Sequence, residues 1–189
     1  MCGVLGRLGA PPGDDFESRW AEACRRQHHR GPDSQGEWHG KFKDGEIRLG
    51  HQRLAILDLS EAGHQPMTHE QGTLSYNGEV YNYPELREEL EKKGEVFKSE
   101  TDTEVVLRAI LCWGMAKACE RFNGMWAFAW YDEDKGNLLL SRDRFGEKPL
   151  YYWKHSGGLY FASEIKGLAA MAGEWPAHNE NHLIRYLIN

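Results

Sequence analysis

The chain has 189 residues and a formal net charge of −6, and 40% of its residues are hydrophobic and 28% charged. This length fits one domain with a substantial core, and the composition is typical of a soluble globular protein. The acidic balance without a basic stripe excludes a broad nucleic-acid surface, and the lack of a long apolar run or signal pattern excludes a membrane span and predicts a cytoplasmic protein.

The first part of the chain predicts two or three strands, a helix and a hairpin. The opening run CGVLGRLG indicates a buried strand, and the spacing of apolar residues predicts a helix over Phe16–His28. The stretch 47–59, rich in leucine and β-branched residues, predicts one or two strands. In SYNGEVYN, an asparagine–glycine pair between two aromatic-containing segments predicts a tight hairpin turn.

Two helices follow in the middle of the chain. The segment YPELREELEKKG predicts one, with Pro84 near its first turn and Gly94 as its stop. A second helix is predicted over Thr103–Trp113, behind Thr101 and Asp102 as candidate capping residues.

The last third changes to strands. GMWAFAWYDEDKGNLLLSRD and PLYYWKHSGGLYFAS each predict a strand, a turn and a strand, so we expect an α+β protein with antiparallel sheets covered by helices. The segment WPAH predicts a boundary between a domain over residues 2–174 and a linker over 175–189. The amphipathic run HLIRYLIN in that linker suggests the start of a further element.

The four cysteines are Cys2, Cys24, Cys112 and Cys119. They form no CxxC pair and no zinc-ligand spacing, and in a cytosolic protein they are expected to be reduced thiols. The last three fit small apolar positions on helix faces. The histidines show no helical spacing with a carboxylate of the kind a metal hydrolase uses, so no metal site is predicted.

Cys2 lies outside any helical pattern and directly follows the initiator methionine. Removal of Met1 would give one residue both a thiol and a free α-amine, whose ordinary pKa of about 7.7 to 8.0 suits proton transfer near neutral pH. This pairing is a known way to activate a nucleophile for acyl transfer through a thioester. A small second residue is also common in proteins without such chemistry, so position alone leaves both interpretations open.

Several ordered segments carry a family resemblance from Cys2 to about Leu168. The chain resembles the glutamine-hydrolysing domain of asparagine synthetases, a class II glutamine amidotransferase and N-terminal nucleophile hydrolase. That resemblance implies a four-layer αββα sandwich of two antiparallel sheets between helical layers. The segments are MCGVLG, RGPDSQG, LGHQRLAILDLSEAGHQPM, YNGEVYNY, SETDTEVVL, FNGMWAFAWYD, SRDRFGEKPLYY and FASEIKGL.

The resemblance also implies catalytic roles. Cys2 is similar to the nucleophile that attacks the side-chain amide of glutamine, with its own amine as base and then acid. Asn77 and Gly78 resemble an oxyanion hole made of a side-chain N–H and a backbone N–H. A plain hairpin turn is the alternative interpretation of this pair.

The substrate-binding residues implied by the resemblance hold both charged ends of a free amino acid. Arg53 suits the carboxylate, and Asp102 and Glu79 suit the ammonium. The alternatives are an arginine snorkelling from a strand, an aspartate that caps the next helix and a solvated edge glutamate. Backbone contacts to glutamine are expected from Leu54, Ile56 and Leu57.

The implied partners are L-glutamine and a C-terminal or separate ATP-dependent synthetase domain, with a homodimer left open and neither nucleic acid nor membrane involved. No cofactor is expected in this domain, because ATP and Mg would belong to the synthetase domain. Three other functions stay open: hydrolysis of another amide, as in cysteine acylases; service to a synthetase that amidates another acceptor; and a catalytically silent regulatory domain.

Overall fold

The computed structural model describes residues 1–42, 44–56, 58–177, 179–181 and 184–185, and within them it contains nine strands and five α-helices. The strands are β1 (Gly3–Gly9), β2 (Ser34–Phe42), β3 (Gly45–Arg53), β4 (Met67–His69), β5 (Gly72–Val80), β6 (Gly124–Asp132), β7 (Asn137–Arg142), β8 (Tyr151–His155) and β9 (Gly158–Ala162). The helices are α1 (Phe16–Gln27), α2 (Tyr83–Lys92), α3 (Asp102–Trp113), α4 (Met115–Arg121) and α5 (Ile165–Ala172).

Two antiparallel sheets form the centre of the molecule. One has five strands in the order β2-β3-β1-β9-β8, and the other has four in the order β4-β5-β6-β7. Strand β1 is central in its sheet, since it pairs with β3 on one side and β9 on the other. The residue that precedes β1, Cys2, is therefore delivered to the middle of a sheet rather than to its edge.

Three hydrophobic clusters separate four layers and confirm the predicted αββα arrangement. Helices α1 and α5 pack on the outer face of the five-stranded sheet through a cluster that includes Leu5, Trp20, Tyr160 and Met171. Helices α2, α3 and α4 cover the four-stranded sheet through Leu90, Val106, Ile110 and Phe128. Val4, Leu49, Ala129 and Phe161 fill the space between the sheets.

Most predicted elements are present. Helix α1 begins at Phe16 as predicted, and both late hairpins form, β6 with β7 and β8 with β9. Thr101 caps α3, because its hydroxyl accepts a hydrogen bond from the N–H of Glu104 at 3.2 Å. Strands β2 and β4 and helices α4 and α5 were not predicted from the sequence.

Two local predictions were wrong. Asn77 and Gly78 do not form a hairpin turn: they lie inside β5, where they pair with Ala127 and Trp126 of β6. A Cβ on Gly78 would lie 2.5 Å from the carbonyl oxygen of Met125, so close packing between strands explains this glycine.

The second error concerns the stretch 47–59, which is a strand only as far as Arg53. Beyond it, the carbonyl oxygens of Asp58 and Ser60 accept from the Arg53 guanidinium instead of from a neighbouring strand. The side chain of Arg53 therefore organises the loop that follows it.

Gly6 leaves space for the side chain of Phe161, its partner on the neighbouring strand β9, and its replacement by alanine is expected to destabilise the protein. The new Cβ would lie 2.2 Å from Cζ of Phe161 and 2.7 Å from the backbone oxygen of Arg48. Overpacking of this kind costs roughly 1–3 kcal/mol, measurable as a lower midpoint in urea unfolding. Gly13→Ala is the control, because its nearest neighbour is a flexible Asp15 oxygen at 3.4 Å. Equal midpoints for the two variants would contradict the expectation.

No helix among the described residues is long and apolar enough to cross a membrane. The predicted helix in HLIRYLIN falls largely on residues 182–183 and 186–189, which lie outside the described residues. The domain boundary near residue 175 therefore stays a prediction.

Candidate active site

A cleft of about 340 Å³ brings the predicted site residues together. Both sheets and helix α3 contribute to it, and its volume is at the lower end of the range for small-molecule sites. Every predicted site residue that the structure describes lines this cleft: Cys2, Arg53, Leu54, Ile56, Asn77, Gly78, Glu79 and Asp102. Leu57, the remaining predicted contact, lies outside the described residues.

The backbone of Cys2 is anchored by residues that do not line the cleft. Its carbonyl oxygen accepts from Nε of Arg30 at 2.9 Å, and Arg30 is held in turn by Glu164 at 3.0 Å. Just beyond, the N–H of Val4 donates to the hydroxyl of Ser163 at 2.9 Å. These contacts fix the position at which the Cys2 side chain enters the cleft.

The Cys2 thiol contacts the backbone of Leu54. Its Sγ lies 3.7 Å from the Leu54 carbonyl oxygen and 3.4 Å from the Leu54 N–H. Burial raises the pKa of the Cys2 thiol, and the Leu54 N–H and the charge of Arg53 offset this only in part. The thiol is therefore protonated at neutral pH and requires a base before it can act as a nucleophile.

The other three cysteines lie outside this cleft, on helices as expected: Cys24 in α1, Cys112 in α3 and Cys119 in α4. All four are free thiols. Burial raises the pKa of Cys24 to about 12, which makes that thiol inert.

Asn77 provides a buried donor on the opposite wall. It is 2% exposed, and its Nδ2 has no hydrogen-bond acceptor among the described residues. An unsatisfied buried amide is unfavourable, so a group that accepts its hydrogen would be bound strongly.

Strand β5 is held in place by two hydrogen bonds between β3 and β5, which link the two sheets. The hydroxyl of Ser75 donates to the carbonyl oxygen of Gly50 at 3.0 Å, and Nε2 of His51 lies 2.9 Å from the carbonyl oxygen of Tyr76. Burial lowers the pKa of His51 to about 3, so the ring is neutral. Because a carbonyl oxygen can only accept, the ring hydrogen lies on Nε2. These bonds fix the distance between the strand of Arg53 and the strand of Asn77.

Asp102 is the first residue of α3 and is 5% exposed. Its Oδ2 accepts from the hydroxyl of Tyr76 at 2.7 Å and from the N–H of Val80 at 3.0 Å. Burial raises the pKa of this carboxyl, while both hydrogen bonds oppose that change. Since Thr101 provides the cap of α3, Asp102 faces the cleft instead of capping the helix.

Arg53 points inward and is 9% exposed, so the alternative of an arginine snorkelling to solvent does not hold. Its guanidinium donates to the carbonyl oxygens of Ser60, at 3.0 Å, and Asp58. Gly63 is packed against it, and a Cβ there would lie 2.2 Å from Nη2. Two of the five N–H groups are used in these bonds, so a fork remains for an anionic ligand.

Several residues of the cleft were not predicted from the sequence, including Gln65, Tyr76, Met125 and Lys148. Tyr76 directly precedes the Asn77–Gly78 pair, and this position next to two predicted site residues was the one feature of the sequence that could have indicated its place in the cleft. Lys148 lies in GEKPLYY and is 7% exposed, with its backbone N–H bound by Asp143 at 3.0 Å. Nothing in the pattern of that segment indicated that a lysine would reach this wall.

Among the described residues, no group of three or more histidine, cysteine or acidic side chains is arranged to hold a metal ion. The expectation that this domain works without a cofactor stays a prediction.

The chain is similar in sequence to known proteins. A family model described as glutamine amidotransferase domain matches residues 1–189. Asparagine synthetase (glutamine-hydrolyzing) 1 of Bacillus subtilis is 40% identical over 173 residues, which cover 89% of this chain and 26% of that protein. Asparagine synthetase (glutamine-hydrolyzing) 1 of Arabidopsis thaliana is 36% identical over 174 residues, which cover 89% of this chain and 28% of that protein. The chain thus spans a minor part of either relative's length.

A solved structure shows the same fold. Glutamine phosphoribosylpyrophosphate amidotransferase from B. subtilis, complexed with ADP and GMP, superposes with a TM-score of 0.73 at 21% identity. The match covers 90% of this chain and 43% of that one.

Proposed function

The chain belongs to the glutamine amidotransferase domain family, and on that basis we propose that it hydrolyses the side-chain amide of L-glutamine to glutamate and ammonia through a Cys2 thioester. One observation carries the proposal: a thiol, an unpartnered amide donor, a guanidinium and a carboxylate line the same cleft of about 340 Å³. Free glutamine offers a reactive amide at one end and two opposite charges at the other, and each finds a counterpart there.

Substrate binding uses the charged residues. The free N–H groups of Arg53 take the α-carboxylate, and Asp102 with Glu79 takes the α-ammonium. Both Arg53 and Asp102 are nearly buried, so these ion pairs form where water screens them little. The side-chain amide then extends toward Cys2.

Catalysis requires that Met1 be removed, so that Cys2 carries a free amine. Within the described part of the chain the thiol hydrogen-bonds only to the backbone of Leu54, which leaves the terminal amine as its base. The amine takes the thiol proton as sulfur attacks the amide carbon. The oxygen becomes an oxyanion that accepts from Nδ2 of Asn77 and the N–H of Gly78.

The intermediate then collapses. The C–N bond breaks, the protonated amine gives its proton to the leaving nitrogen, and ammonia departs from a γ-glutamyl thioester. Water attacks the thioester with the amine again as base, and the C–S bond breaks. Glutamate is released and the thiol regains its proton.

The ammonia would serve an ATP-dependent synthetase domain of the asparagine synthetase type. The two relatives named above are glutamine-hydrolysing asparagine synthetases, and this chain covers 26% and 28% of them. ATP and Mg would be bound by that partner, and a cytoplasmic location would suit this metabolism. Service to another acceptor is the second candidate, because the part that selects an acceptor lies outside this chain.

The acylase alternative fits the cleft poorly. An apolar acyl group would leave the Arg53 guanidinium and the Asp102 carboxylate buried without ionic partners, which is costly. A silent regulatory domain is also disfavoured, because the thiol and the Asn77 amide are both in place.

The proposal is tested by labelling with a glutamine-like electrophile, 6-diazo-5-oxo-L-norleucine. Protein whose intact mass shows loss of Met1 should release ammonia from L-glutamine and take up one equivalent of the reagent on Cys2, located by peptide mapping. Excess glutamine should slow the labelling, because it occupies the same cleft.

Cys112 and Cys119 are half-buried and serve as internal controls that should stay unmodified. Labelling of these thiols at the rate of Cys2, or no ammonia from protein that has lost Met1, would contradict the proposed function.

A further inference from the structure

Tyr76 connects the catalytic strand β5 to the substrate-binding helix α3. The side chain is 2% exposed, and its hydroxyl donates to Oδ2 of Asp102 at 2.7 Å. The N–H of Val80 reaches the same oxygen at 3.0 Å. A carboxylate has about four acceptor positions on its two oxygens, so Asp102 retains capacity for a ligand ammonium.

We infer that Tyr76 is a positioning and specificity residue, whose hydroxyl holds the Asp102 carboxylate in the orientation that receives the α-ammonium of the substrate. This inference rests on the proposed function. It concerns a residue whose effect reaches the substrate through Asp102, so Tyr76 itself is not assigned a catalytic role.

The phenol is the fixed partner of this pair. The N–H of Tyr76 donates to Oε1 of Gln65 at 2.7 Å, and its carbonyl oxygen accepts from His51 at 2.9 Å. Its ring also packs against Gly78, where a Cβ would lie 2.7 Å from Cε2. Because its backbone and ring are held in this way, the Tyr76 hydroxyl has a fixed position and determines the orientation of the Asp102 carboxylate.

The hydroxyl always acts as donor. Burial, with the charges of Asp102 and Glu79, raises the pKa of Tyr76 well above its usual value, so the phenol stays protonated. Its hydrogen bond lowers the pKa of Asp102 and thereby opposes the effect of burial. Tyr76 thus helps to keep the carboxylate both oriented and ionised.

The charges around Asp102 make this help necessary. The charge of Glu79 raises the pKa of Asp102. Glu79 lines the same cleft as Asp102, and so do the ionisable groups of Cys2, Arg53 and Lys148. A second carboxylate nearby favours protonation, and a protonated Asp102 would lose its attraction for an ammonium. The Tyr76 hydroxyl is the strongest of the three donors that counter this effect, the others being the N–H groups of Val80 and Thr103.

The test is Tyr76→Phe, which keeps the ring and removes only the hydroxyl. In protein that has lost Met1, the KM for L-glutamine should rise roughly tenfold, as expected for loss of a hydrogen bond to a charged group, with a much smaller change in kcat. The inhibition constant of 4-carbamoylbutanoate, which is glutamine without the α-amino group, should not change. A merely structural role would weaken both ligands alike.

Tyr160→Phe is the matched control. Tyr160 is 3% exposed, and its hydroxyl accepts from Nε of Arg7 at 3.3 Å on the helix-covered face of the other sheet. Its variant should leave both constants unchanged, and melting temperatures of the two variants report any general loss of stability.

The outcomes separate the inference from the proposed function. No ammonia from the unsubstituted protein after loss of Met1 overturns the proposed function and the inference with it. If that protein is active but Tyr76→Phe weakens the binding of glutamine and of 4-carbamoylbutanoate equally, or weakens neither, the inference alone is overturned.

Discussion

Replacement of Cys2 by alanine is expected to lower ammonia release from glutamine by at least about 1,000-fold, because no other thiol lines the cleft among the described residues. Alanine is as compatible with removal of Met1 as cysteine is, so the variant changes the sulfur without changing the terminal amine. Binding of glutamine should persist, since Arg53 and Asp102 are untouched. Ammonia release and glutamine binding, followed by calorimetry, check the two parts separately.

Cys112→Ala is the control for this substitution. Cys112 lies in α3, half-buried against the helix-covered core, and it does not line the cleft. Its variant should retain full activity. If Cys2→Ala kept activity of the same order as the control, the nucleophile would have to be another group and the thioester pathway would be wrong.

Replacement of Asn77 by alanine is expected to lower kcat by about 100- to 1,000-fold, the usual effect of removing one oxyanion-hole donor. The buried Nδ2 of Asn77 has no partner among the described residues, so its hydrogen is available for charge that develops during the reaction. Because that charge exists only in the transition state, the KM should change little. Steady-state kinetics with glutamine give both constants.

Asn137→Ala provides the matched control, since Asn137 is exposed at the start of β7. A KM that rises while kcat stays unchanged in Asn77→Ala would show that this amide binds the ground state, and the assigned role would then be wrong.

Chemistry was easier to predict from this sequence than local backbone. The cleft contains every described residue that was expected there, because ordered motifs and the two charges of an amino acid restrict the choice strongly. Asn77–Gly78 was wrongly predicted to form a turn. The sequence does not distinguish a glycine required for close strand packing from one required for a left-handed conformation. Gly78 belongs to the first kind, since its neighbour on β6 leaves no space for a Cβ.

Residues that act through others were the hardest to predict. Tyr76 has the pattern of an ordinary buried aromatic residue on a strand, and its contact with Asp102 joins positions separated by 26 residues. Arg53 was predicted at the site, but its hold on the loop carbonyls at 58 and 60 was not. Such contacts depend on how the sheets and helices pack against one another. The local spacing of apolar residues in the sequence carries no information about that packing.

The hydrogen bonds between β3 and β5 have a consequence for engineering. The thiol and the guanidinium belong to one sheet, the amide belongs to the other, and the carboxylate begins a helix of an outer layer. A designer who wished to graft this chemistry onto a smaller scaffold could not transplant a single loop or hairpin. Both sheets, with the spacing that Ser75 and His51 set between them, would have to be carried over together.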